Sequence, residues 1–143
     1  MSFNIRVYGI LIRDKKDVLV TDEEIHDLSF TKFPGGGLEF GEGLTDCLKR
    51  EFLEELQLPI VINELCYLTE HFQQSAFIEN EQVISIYYYV EASKNNLDEF
   101  QKRYGQIYVN EKPHWIPIIE LKEIDFMFPI DKIVANKIYD VFT

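Results

Sequence analysis

The chain has 143 residues, 46% hydrophobic and 14% aromatic, with a formal net charge of −11 at pH 7. That length and apolar content suffice for one compact domain with a full core. The charge argues against an extended nucleic-acid surface, which needs clustered Lys and Arg, and against holding anionic phosphates without a metal.

Met1-Ser2-Phe3-Asn4-Ile5-Arg6 lacks the apolar run of a signal peptide, and no later stretch approaches membrane-spanning length. A cytoplasmic protein with no membrane partner is therefore expected. Ile5 to Ile12 and Asp17 to Thr21 are predicted as strands paired across the Asp14-Lys15-Lys16 turn. Asp22 to Ser29 is polar enough for a loop, and Thr31 to Phe33 should lead into the glycine run Gly35-Gly36-Gly37. A helix follows from near Leu44 to near Gln57. Val61 to Phe72 and Gln82 to Ala92 have the β-branched and aromatic content of two long strands, expected to be central. Lys94 to Gln101 is polar and fits a variable excursion with a short helical turn. Pro129 or Ile130 to Val141 closes the chain as a helix with Ile130, Ile133, Val134, Ile138 and Val141 as its apolar stripe. The order predicts a mixed α/β (α+β) fold with a mixed sheet between helices.

The central helix carries the unusual feature. At about 100° per residue, with Glu51 at zero, Glu54 falls at about −60° and Glu55 at about +40°, while Leu44, Cys47 and Leu48 fall between about −40° and +60°. The carboxylates continue the inward line of the apolar residues, whereas Asp46, Lys49 and Leu53 mark the solvent side. Like charges so spaced repel, and burying them unpaired raises their pKa values or unfolds the helix. A divalent cation removes the conflict, and hard ions such as Mg²⁺ and Mn²⁺ favour carboxylate, carbonyl and water oxygens. The glycines allow close backbone approach to a metal or phosphate.

The spacing Gly36, five residues, Glu42, seven residues, Arg50-Glu51-Phe52, one residue, Glu54-Glu55, one residue, Gln57-Leu58 resembles the Nudix box. The family pattern is Gly-x5-Glu-x7-Arg-Glu-U-x-Glu-Glu-x-Gly-U, with U a bulky aliphatic residue, and its several fixed acidic positions make it specific. Phe52 departs from it but suits a core-facing position. Gln57 replaces the final glycine, expected as a left-handed residue after the helix, at a cost on the order of 1 kcal/mol. Pro59 still blocks continuation of the helix.

The resemblance implies a Nudix-type α/β/α sandwich and hydrolysis of a nucleoside diphosphate linked to another group, with Mg²⁺ or Mn²⁺ as cofactor. It implies that Glu51, Glu54 and Glu55 bind metal, one of them serving as base toward water. It further implies that Arg50 orients a glutamate, that Glu42 supports loop and helix, and that the Gly35 carbonyl adds a ligand. Trp115-Ile116-Pro117-Ile118 is similar to the family strand that precedes a short turn, here Ile119 to Glu123. A fourth carboxylate often joins such clusters; Glu111 is the candidate, with Glu70, Glu79 and Glu81 competing.

The small-molecule nucleotide itself is less legible. Phe30, Phe33, Tyr87, Tyr89, Phe126 and Phe128 each offer a face for a base, although aromatic residues in strands ordinarily fill the core. His26, His71 and His114 lack metal-type spacing. Thr21-Asp22-Glu23-Glu24 is acidic where many relatives carry arginines. Cys47 and Cys66 read as reduced core thiols. The aromatic-rich strands suit a second copy as well as a core, leaving a homodimer open. Two functions are in view: a metal-dependent hydrolase, and a non-catalytic Nudix-fold nucleotide-binding or regulatory domain.

Overall fold

The structure is a computed structural model and describes residues 1–103 and 111–143, except for the side chains of residues 111 and 112. In chain order it contains β1 (Ser2–Arg13), β2 (Asp17–Ile25), β3 (Leu28–Lys32), β4 (Gly35–Gly37), α1 (Leu44–Leu56), β5 (Val61–Leu68), β6 (Glu81–Glu91), α2 (Lys94–Arg103), β7 (Glu111–Pro117), a 3-10 turn (Ile118–Glu123) and α3 (Pro129–Phe142).

The strands join in the order β3-β2-β1-β6-β5, with β4 on β1 and β7 on β2. β1 runs parallel to β6 from Ser2 opposite Glu81 to Leu11 opposite Val90, while the other pairs are antiparallel. On its second edge β1 holds two partners in succession: β4 at Arg6–Tyr8, then β2 at Ile12 and Arg13.

β1 also divides the core by its period of two. Tyr8 and Ile10 face one apolar cluster, with Phe33, Tyr87, Phe126 and the α3 residues Ile130, Val134 and Ile138. Val7 and Leu11 face the other, with Cys47, Leu48, Phe52 and Leu56 of α1 and Phe100 of α2. The mixed sheet is therefore covered by helices on both faces. Gly9 lets α1 come close: a Cβ there would stand 2.7 Å from the Phe52 ring.

Several predicted elements need correction. The expected loop from Asp22 to Ser29 is a hairpin, in which β2 runs on to Ile25 and β3 begins at Leu28. His26 and Asp27 have φ of 52° and 64°, the mirror-type two-residue turn whose twist matches paired strands. β5 stops at Leu68, short of Phe72, and ends the strand order instead of lying centrally; β6 is the inner of the two. Lys94 to Gln101 forms part of a three-turn helix anchored by buried Phe100. On α3, Ile133 and Val141 are exposed, and Ala135 takes a buried place beside Val134 and Ile138.

α1 ends as its sequence suggests. Gln57 is left-handed (φ 51°, ψ 37°), its N–H bonds the Leu53 carbonyl, and Leu58 N–H bonds the Phe52 carbonyl. Cys47 and Cys66 are free and buried. No helix among the described residues is long and apolar enough to cross a membrane.

Candidate active site

The site begins where β4 passes beneath α1. Gly35, Gly36 and Gly37 pair with Tyr8, Val7 and Arg6 of β1, fixing the loop against the sheet. Without a side chain, Gly36 leaves room for the Glu51 carboxylate: a Cβ there would lie 2.4–2.6 Å from its three atoms. Helix and loop are thus fitted to one another at the first glutamate of the acidic line.

Arg50 ties the remaining parts together. Its Nε and Nη2 donate to the two oxygens of Glu42 at 3.0 and 2.7 Å, and Nη2 also donates to the Gly37 carbonyl at 3.1 Å. Its Nη1 donates to Glu51 at 3.0 Å and to Glu54 at 3.2 Å. Glu42 in turn accepts from the Glu39 backbone N–H at 2.9 Å. These bonds, the one from Arg50 foremost, hold the Glu42 carboxyl down at about 2 and push the Arg50 guanidinium further up. Beside them, burial pushes the Cys47 thiol up to about 12, a packed neutral thiol rather than a nucleophile.

The three helix glutamates are unequal. The Glu51 side chain is 12% exposed and the Glu54 side chain 59%; Glu55 is half-buried. Leu53 and Lys49 face solvent, and Cys47 and Leu48 the core, as the helical arrangement predicts. Gly35 lies in β4 beside the cluster. Glu111 opens β7 opposite Glu23, and its side chain lies outside the described residues. Glu70 and Glu79 are exposed in the connection between β5 and β6, and Glu81 starts β6 beside Ser2.

The carboxylates on α1 and the carbonyls on β4 are oxygen donors, the ligand type that a hard divalent cation favours. Among the described residues no three His, Cys, Asp or Glu side chains gather around one point. Mg²⁺ ordinarily takes one or two carboxylates and completes its shell with water and phosphate oxygens.

Next to this loop, between β1, the β2–β3 hairpin, β6 and the start of α3, lies a cavity of about 150 Å³. Of the aromatic residues singled out from sequence, Phe30, Tyr87 and Phe128 line it. Phe33 and Phe126 stack on each other in the core at 5.3 Å, and Tyr89 packs on Phe142. Sequence reasoning missed Arg6, Tyr8, Lys32, Phe77 and Asp131, all in the cavity wall. One signal was present: Arg6 with Tyr8, and Phe30 with Lys32, alternate on single strand faces that also point into the protein. Asp131 is 2% exposed and accepts from the Tyr87 hydroxyl at 2.6 Å. Burial raises its carboxyl to about 6, against the pull of Tyr87, Lys32 and Arg6.

The chain superposes on the E. coli ORF135 protein with a TM-score of 0.74 at 18% identity, covering 99% of this chain and 91% of that one. A NUDIX hydrolase from Nitrosomonas europaea gives 0.73 at 16% identity, over 96% and 89%. A MutT protein from methicillin-resistant Staphylococcus aureus gives 0.66 at 24% identity, over 97% of both chains. These likenesses carry the fold. A sequence model of the NUDIX domain matches residues 3–136, nearly the entire chain, and the protein therefore belongs to the NUDIX family.

Proposed function

We propose that the protein is a divalent-metal-dependent pyrophosphohydrolase cleaving a nucleoside diphosphate joined to a further group, of the nucleotide-sugar or modified nucleoside triphosphate kind. The observation that carries this reading is the Glu51 carboxylate, seated against Gly36 and gripped by Arg50. Glu51, Glu54, Glu55 and the Gly35 carbonyl would hold Mg²⁺ or Mn²⁺, with Glu111 as a fourth carboxylate. Such an ion, when bound, polarises phosphoryl oxygens, lowers the pKa of the attacking water and neutralises the departing phosphate.

The chain's own residues supply position and proton transfer. Arg50 orients Glu51 and Glu54, and Glu42 fixes Arg50 to the loop through its bidentate pair. A glutamate of the cluster accepts the proton of the water that attacks phosphorus. The water oxygen bonds to phosphorus as the anhydride P–O bond breaks, and the substrate divides into a nucleoside phosphate and either the phosphate ester of the second group or, from a triphosphate, inorganic phosphate or pyrophosphate. Phosphoryl transfer of this kind depends mainly on positioning and electrostatics.

The test is nucleotide or phosphate release from dinucleotides, nucleotide sugars and nucleoside triphosphates, with Mg²⁺ and with Mn²⁺. Metal-dependent turnover of at least one class is expected. Tight metal-dependent nucleotide binding without turnover of any would replace the hydrolase reading with a binding domain.

A further inference from the structure

Two arginines converge on Gly37, and they are used differently. Arg50 of α1 commits every guanidinium nitrogen, to Glu42, the Gly37 carbonyl, Glu51 and Glu54. Arg6 of β1 stands opposite Gly37 in the β1–β4 pairing, and a Cβ on Gly37 would lie 3.6 Å from its Nη1. Among the described residues its guanidinium makes one hydrogen bond, from Nε to the Tyr8 hydroxyl at 2.7 Å. Tyr8 is itself fixed, stacked on Tyr87 at 5.0 Å. Arg6 is thus anchored at Nε while Nη1 and Nη2 keep their donors uncommitted, one residue along β4 from the glycine that seats Glu51.

We propose that Arg6 is a further catalytic residue, its Nη1 and Nη2 donating to non-bridging oxygens of the substrate's pyrophosphate from the β1 side. The proposal rests on the hydrolase reading of the adjoining loop and helix, which brings a pyrophosphate to Glu51.

In a chain of net charge −11, an arginine whose fork bonds no carboxylate is out of the ordinary. The charges of Glu23 and Glu51 both act on Arg6, yet neither carboxylate hydrogen-bonds it. Glu23 has the Lys32 ammonium at 3.7 Å, and Glu51 has Arg50. The neighbouring strand supplies no cation in its place: Asp22, Glu23 and Glu24 of β2 are all acids, with Asp22 accepting from the Thr31 hydroxyl at 2.7 Å. An uncommitted guanidinium fork matches two oxygens of one phosphate, and such charge-assisted pairs are roughly twice as strong as neutral hydrogen bonds. Arg6 is half-buried, where lowered dielectric strengthens the pair further. As the anhydride opens, charge shifts onto the oxygens of the departing phosphate, and a cation already aimed at them needs no reorganisation. Arg6 meets that charge from the sheet, on a different element from the α1 carboxylates.

The experiment measures, by calorimetry on the full chain, the binding of methylenediphosphonate in saturating Mg²⁺ and, separately, the binding of Mg²⁺ alone. The P–C–P bridge of this pyrophosphate mimic is not hydrolysed, so the result is independent of turnover. Arg6→Met is expected to weaken the diphosphonate at least tenfold. It should leave Mg²⁺ affinity unchanged or higher, because removing one cation eases the approach of another. Arg6→Lys, which keeps the charge without the fork, should fall between parent and Arg6→Met. Tyr8→Phe, which releases Nε from its anchor, should cost severalfold. No binding of the diphosphonate by the unmodified chain overturns the proposal, as does unaltered diphosphonate affinity in folded Arg6→Met. A fall in Mg²⁺ affinity equal to the fall in diphosphonate affinity also overturns it, and makes Arg6 a support for Glu51. If Arg6→Met does not fold, Arg6→Lys and Tyr8→Phe decide: a loss in either with Mg²⁺ affinity kept supports the contact, and unaltered diphosphonate affinity in both removes it. Arg6-dependent binding in a chain that turns over no substrate would overturn the hydrolase reading while leaving the contact standing. Turnover with an Arg6-independent diphosphonate affinity would do the reverse.

Discussion

Arg50 and Glu42 meet as fork and carboxylate, Nε on one oxygen at 3.0 Å and Nη2 on the other at 2.7 Å. That bidentate grip leaves Nη1 directed at Glu51 and Glu54, so one side chain spans the loop and both helix glutamates. A lysine keeps the charge but has a single nitrogen and cannot span them. Arg50→Lys is expected to lower kcat about 10- to 100-fold, the range for outer partners of a metal site, with an unchanged circular dichroism spectrum. A rate within twofold of the parent would show that charge alone suffices.

Gly36 and Glu51 are fitted so closely that a methyl group cannot enter without moving the carboxylate. Gly36→Ala should therefore weaken Mg²⁺ or Mn²⁺ binding at least tenfold, measured by calorimetry, while α1 remains folded. A chelator should abolish turnover in the parent and lower its melting temperature relative to protein in excess metal, because an ion bound only by the native state stabilises it. Unchanged metal affinity in the alanine variant would remove Glu51 from the ligand set.

Gln57 pays a conformational cost that glycine does not. Its φ of 51° is left-handed, and its side chain is exposed, so no packing offsets the strain. Gln57→Gly is expected to stabilise the fold by about 1 kcal/mol and raise Tm by roughly 3 °C. Calorimetric melting checks this directly. A lower Tm would mean that the added freedom of the unfolded glycine outweighs the relieved strain.

The same residues explain how much could be read beforehand. The Gly36–Leu58 spacing is local, and a helix places Glu51, Glu54 and Glu55 without tertiary information, so the loop–helix unit and its left-handed end were legible. The β2–β3 hairpin was not, because His26 and Asp27 adopt positive φ without the glycine that usually announces such a turn. The cavity was hidden for a different reason. Arg6, Lys32 and Asp131 come from β1, β3 and α3, and only the β1–β2–β3 pairing and the packing of α3 on the core bring them to one space. Asp131 follows Pro129 and Ile130, where an acid at a helix start is ordinary, and nothing local marks it as buried.

Burial of Asp131 sets a pH dependence whose sign can be derived. Its carboxyl is raised from 3.8 to about 6 in the folded protein, chiefly by burial, with Tyr87 of β6, Lys32 of β3 and Arg6 of β1 opposing the rise. Between these values the native state binds more protons than the unfolded chain, so this group's contribution to stability falls as pH rises. It is most favourable below about pH 4, declines through about pH 6, and is lost above, a change of about 3 kcal/mol across the window. Asp131→Asn removes the titration while keeping an acceptor for the Tyr87 hydroxyl. Urea unfolding of both proteins from pH 4 to pH 7.5 should show the parent losing stability relative to the variant as pH rises. A constant difference, or one of opposite slope, would mean that Asp131 is ionised in the native state throughout that range.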